Sequence, residues 1–189
     1  MRFHALLLVV TLLAACASQQ VTWYAPEGTG QTRRSSCGYP PMTMTYSLDS
    51  AGSRLIVGMR RKADLVSVYY VFFLDSDTEV RLQSNKILID WGSDQKSSEY
   101  EIDSLKGIHA AEPRGFISTQ SPSEPLRYRS KIIKKNDVYD EYLFEKQIEP
   151  KSKQFTVYYP GMTVNGAARP GPSVRYTLSQ GVFAIGICP

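Results

Sequence analysis

Apolar and polar residues alternate with a period of two along most of this chain, the mark of strands with one buried face. "MTMTYSL" (42–48) alternates, "SAG" turns, and "RLIVGMR" (54–60) follows. "LVSVYYVFFL" (65–74) is the most apolar stretch after the N-terminal run and is full of β-branched and aromatic residues. It predicts a central strand, buried on both faces over its second half. "DSD" (75–77) ends it. "TEVRLQ" (78–83) and "KILIDW" (86–91) flank "SN", which predicts a tight hairpin. "SEYEIDSL" (98–105) alternates as one more strand.

Residues 107–125 hold three prolines and little periodicity, with Gly115-Phe116-Ile117-Ser118 as a short strand between loops. "PLRYRSKII" (125–133) and "VYDEYLFEKQI" (138–148) predict a hairpin turned at "KKND". The second arm also fits a helix, but its aromatic and β-branched content favours strand. "KQFTVYY" (153–159) alternates, "PGMTVNGAARPGP" (160–172) reads as a loop, and "SVRYTL" (173–178) and "GVFAIGIC" (181–188) form two strands around a tight turn at "SQ" and Gly181. About ten short strands without a βαβ rhythm predict an all-β fold. It is an antiparallel β-sandwich, immunoglobulin-like or related, with a β-barrel-like form as the alternative.

The first 36 residues depart from this pattern. "MRFHALLLVVTLLAAC" has one positive charge, an apolar centre and small residues at its end. The apolar run is too short to span a hydrocarbon core, which needs roughly 20 residues. It has the shape of a secretory signal. Leu13-Ala14-Ala15-Cys16 resembles the lipobox of bacterial lipoproteins, a likeness confined to residues 1–16. That resemblance implies acylation of Cys16 after removal of residues 1–15, and several acyl chains hold a protein on a membrane stably. Ala17, where an acidic residue often marks the inner membrane, implies the outer membrane and its periplasmic side. Residues 16–36 lack an apolar period and read as a lipidated flexible tether, with an r.m.s. reach of about 25 Å. Within it Trp23-Tyr24 either docks on the domain or sits in the membrane interface, where such rings are favoured. Residues 37–189 remain as a single β domain.

The chain has three cysteines. With Cys16 acylated, Cys37 and Cys188 are left, and an oxidising periplasm favours a disulfide between them. The alternative is two free buried thiols. Two isolated cysteines lack zinc spacing, and neither a metal nor a cofactor is expected.

A formal charge of +4 falls to about +3 with the loss of Arg2, too little and too evenly spread for nucleic acid. The run from Arg127 to Lys135 holds five basic residues and no acidic one. Arg127, Arg129 and Lys131 share one face and are candidates for partner binding. The bland alternative is a solvated face balanced by the acidic arm after it. Asp75, Asp77 and Glu79 are spaced as part of a calcium loop but lack its glycine and later glutamate, and read as a strand-ending turn. His109 is the one histidine after the signal. A triad of Ser104 or Ser118 with His109 and Asp103 has no nucleophile-elbow motif behind it, so no catalytic residue is assigned.

The expected function is therefore an outer-membrane lipoprotein with a non-catalytic binding or scaffolding role toward an envelope protein. A second expectation is an immunity or inhibitor lipoprotein that blocks a wall-degrading enzyme, with the 160–172 loop and Arg169 as its plug. An envelope hydrolase around His109 comes last. Oligomeric state is not legible.

Overall fold

The computed structural model describes residues 17–32, 40–50, 52–62, 65–75, 77–92, 95–109, 116–128 and 140–185. In chain order the strands are β1 (Ala17–Glu27), β2 (Gln31–Thr32), β3 (Thr43–Ser47), β4 (Arg54–Lys62), β5 (Leu65–Leu74) and β6 (Glu79–Leu82). Then come β7 (Lys86–Asp90), β8 (Ser98–Glu101), β9 (Leu105–His109), β10 (Phe116–Gln120) and β11 (Leu126–Arg127). β12 (Asp140–Ile148), β13 (Gln154–Tyr158), β14 (Met162–Val164), β15 (Ala167–Arg169) and β16 (Ser173–Ile185) complete the list. They form three antiparallel sheets, ordered β1-β16-β13-β7-β8, β10-β9-β12-β5-β4-β3-β2 and β11-β6-β14-β15. No sheet closes into a barrel, and buried side chains of all three join one hydrophobic cluster. The architecture is an all-β sandwich.

β5 lies at the centre of the seven-stranded sheet, between β12 and β4. Val66, Val68, Tyr70, Phe72 and Leu74 point inward and are nearly inaccessible. Burial of such a side chain stabilises by roughly 1.5–3 kcal/mol. The second half of β5 is not buried on both faces, however. Val71 and Phe73 on the other face are half-buried, screened in part by the Arg54 guanidinium 4.7 Å above the Phe73 ring. Long polar side chains cover apolar surface there without forming a second core.

Four pairings differ from the sequence expectation. β6 and β7 do not form a hairpin around "SN". β6 pairs with β11 and β14, and β7 with β13 and β8. The Gln83 N–H donates to the Gly161 carbonyl, so the chain turns a corner between sheets. Residues 98–105 are not one strand either. Ile102 and Leu105 are both buried three positions apart, which breaks the period of two, and β8 and β9 belong to different sheets. The expected hairpin of 125–133 with 138–148 is also absent among the described residues. β11 pairs with β6, while β12, a strand rather than a helix, pairs with β5 and β9. The loop 160–172 contains a hairpin, β14–β15, turned at Asn165-Gly166. Both turn residues have positive φ, 49° and 82°, the geometry for which Asn-Gly is the strongest short signal.

The termini differ most. β16 runs unbroken through "SQG". Gly181 is there for space, not for a turn. A Cβ on it would come within 3.1 Å of the Phe183 ring and 3.3 Å of Trp23. The segment read as a tether begins with a strand. β1 pairs with β16 over its whole length, from Ala17↔Ile185 to Glu27↔Arg175. Tyr24 is buried, and its ring lies 5.3 Å from Phe155. Trp23 packs edge-on against Phe183 at 5.1 Å. Both rings dock on the protein. The polar composition of β1 reflects an edge strand whose partner supplies most of the apolar surface.

Candidate functional site

Of the basic residues singled out, Arg127 and Arg169 fall among the described residues, on β11 and β15. Arg127 lies on β11 opposite Glu79 on β6 and ion-pairs with it. Arg81 holds the same carboxylate at 2.6 Å. The two guanidinium groups keep Glu79 ionised to lower pH than an ordinary glutamate, hydrogen bonding from Arg81 first. Arg127 is thus paired with Glu79 on β6. Arg169 is exposed on β15, opposite Met162 and at the Leu82 end of β6. Three residues of β6, about 10 Å, separate the level of Arg127 from that of Arg169. Arg129 and Lys131 lie outside the described residues, as do Cys16, Cys37 and Cys188.

The β14–β15 hairpin is fixed at its base and open at its tip. Met162 and Val164 are buried, while residues 165–170 are exposed. Asn165 accepts from the Glu79 N–H through Oδ1 at 2.7 Å and donates its own N–H to the Glu79 carbonyl at 2.9 Å. This reciprocal pair ties the tip to β6.

Beside it, the turn after β5 is held by a polar network at the start of β4. Thr78 Oγ1 donates to Asp49 Oδ2 at 2.7 Å and lies 2.8 Å from Ser53 Oγ. The Gly52 and Ser53 N–H groups both donate to Asp49 Oδ1 at 3.0 Å. Partial burial pushes the Asp49 carboxyl up, and these hydrogen bonds together outweigh it, so its pKa falls below the ordinary range. Ser53, Thr78 and the Asp49 carboxylate satisfy one another in this network, which braces the two turns. The Thr78 N–H donates to the Asp75 carbonyl, the bond of a turn, and Glu79 is turned to its arginines. Among the described residues no group of three or more His, Cys, Asp or Glu is placed to hold a metal ion.

His109 ends β9, in register with Asp140 on one side and Phe116 on the other. Asp140 is buried. Ser118 lies opposite Gly107, two positions away, and Asp103 and Ser104 precede the far end of β9. The imagined triad is not assembled by this register. Asp140 is a neighbour that spacing in sequence gave no reason to expect.

At the other end of the sandwich, β13 pairs only with residues 173–177 of β16. Beyond it β1 and β16 continue as a two-stranded ribbon. From Ala17 to Pro26, and from Tyr176 onward, no residue is charged. Val182 is 70% exposed, and on the opposite face Phe183 meets Trp23. An open hollow of about 370 Å³ lies under the ribbon, lined by Gln19 to Tyr24, Met42, Met59 and Arg61. Sequence reasoning did not single out Val182, Phe183 or this hollow. The exposed valine is an ordinary strand residue until its register is known. Among the described residues no helix is long and apolar enough to cross a membrane. Comparison with known proteins found no matching family model, curated protein or solved structure.

Proposed function

We propose that this chain is a lipoprotein of the bacterial outer membrane, anchored through Cys16 on the periplasmic side. Its β-sandwich then binds an envelope protein in a non-catalytic, scaffolding role. The observation that carries this is Leu13-Ala14-Ala15-Cys16 at the end of an apolar run, with Ala17 after it. Strand β1 starts at Ala17, so cleavage before Cys16 leaves every described strand in place. Replacement Cys16→Ser abolishes lipid labelling and releases the protein from membranes; unchanged retention refutes the anchor. Capture of the native protein from envelope extracts, read by mass spectrometry, enriches assembly machinery on this reading.

The same reading pairs Cys37 with Cys188. Met42 and Phe183 each stand five residues from one of these cysteines. Met42 lines the hollow together with Gln19, and Gln19 is the register partner of Phe183. The described chain next to each cysteine thus comes to the same end of the sandwich, which supports the pairing. Unchanged gel mobility on reduction, with two alkylatable thiols in the exported protein, refutes it.

A second reading, an inhibitor of a wall-degrading enzyme, is favoured by the braced and exposed β14–β15 hairpin, which suits insertion into a cleft. It requires that the purified protein slow such an enzyme and that Arg169→Glu relieve the inhibition. No inhibition of any wall hydrolase captured from the extract removes this reading.

A further inference from the structure

We infer that the two-stranded end of β1 and β16 lies in the headgroup layer of the membrane, so that the sandwich stands on the bilayer without a flexible tether. The inference rests on the anchor proposed above. If Cys16 carries acyl chains, the next residue already belongs to a strand paired with β16. Val182 is opposite Gln20, three residues from Ala17, or about 10 Å along the strand. A headgroup layer is roughly 5–8 Å deep on each side of the hydrocarbon core. A ribbon tilted by roughly 40–60° from the membrane normal therefore places Val182 within it.

The chemistry of this end matches that layer. The ribbon carries no charge over Ala17–Pro26 and from Tyr176 onward, so immersing it desolvates no ion. It carries instead the exposed Val182 and, on the other face, Trp23 against Phe183, of which Trp is a residue type enriched at membrane interfaces. Leu65, at the β4–β5 turn, is a second exposed apolar side chain at this end, 52% accessible. Lys62 is its register partner, and Arg61 reaches the hollow beneath the ribbon. Arg60 and Arg61 are exposed, with Arg60 against Glu145 at 3.4 Å. Basic side chains beside an apolar contact suit an anionic lipid surface.

The test uses the full chain, exported and acylated in cells, with a benzophenone amino acid at position 182. A second variant carries it at Gln20, and a control at Ala167 on the far hairpin. Irradiation of isolated membranes is expected to give phospholipid adducts at 182 and 20 and none at 167. Adducts to protein alone at 182 and 20, or phospholipid adducts equal at all three positions, overturn the inference while the protein remains in the membrane fraction. Recovery of the unmodified chain in the soluble fraction overturns the anchor itself, and the inference with it.

Discussion

The two ends of the sandwich are built by opposite means. At the turn end, Asp49, Ser53 and Thr78 join two turns by hydrogen bonds, and Glu79 binds two arginines. At the ribbon end, two uncharged strands leave the sheet together, with aromatic contact in place of ionic contact. Charged and hydrogen-bonded side chains hold geometry well where water stays on one side. They are costly where the surroundings lose water, and the ribbon omits them. The difference separates a braced end suited to a protein partner from an end whose uncharged ribbon, flanked by Arg60 and Arg61, suits lipid.

Replacing Tyr24 sharpens the comparison most. If β1 is part of the sandwich, Tyr24→Ala lowers unfolding free energy by about 3–5 kcal/mol, as for other buried aromatic rings. Denaturant titration of the anchor-free folded protein measures it. A change near zero means that residues 17–27 are a tether after all. At the other end, Thr78→Val removes one hydrogen-bond partner each from the Asp49 carboxylate and the Ser53 hydroxyl. The expected cost is about 1–3 kcal/mol. No loss would show that the brace is ornamental.

Asp49 links that brace to pH. Its pKa is depressed in the folded state, so its contribution is fully present above the unfolded carboxyl pKa and fades as pH falls through the folded value. Wild type should exceed Asp49→Asn in stability at neutral pH, with the gap closing on acidification below about pH 4. A gap that widens toward acid contradicts the network. The smallest effect belongs to Glu79→Gln. The Glu79 side chain is 31% accessible and both arginines are more than half exposed, and ion pairs so open to water contribute little, so thermal melting should be unchanged in moderate salt. A marked loss would give the Arg81–Glu79–Arg127 cluster a structural role that its exposure does not suggest.

Strand existence was legible wherever alternation was clean. "LVSVYYVFFL" coincides with β5 residue for residue, and β3, β4 and β13 fall within two residues of their predicted ends. Partners were not legible. Alternation states which face of a strand is buried and says nothing about the neighbour. The segments around "SN" therefore read as a hairpin in sequence, although β6 and β7 lie in different sheets. The Asn-Gly signal at 165–166 is masked by neighbouring glycines and prolines, whose composition is that of a loop. Of the proposed binding residues, Arg127 was visible in the basic run. Its compensation by Glu79, 48 positions earlier, was not.

Local chemistry decided the strand-rich class, the position of the central strand and the lipobox likeness at Leu13-Ala14-Ala15-Cys16. These depend on residue types at short spacing. Only the tertiary structure decided that residues 17–27 are a strand, that Gly181 makes room for two rings, and that Val182 is exposed beside residue 20. Each of those depends on register between segments more than 150 residues apart. A polar stretch such as "ASQQVTWY" lacks the apolar face to form a strand alone. It becomes one because β16 supplies the hydrogen bonds and the core supplies a place for Tyr24.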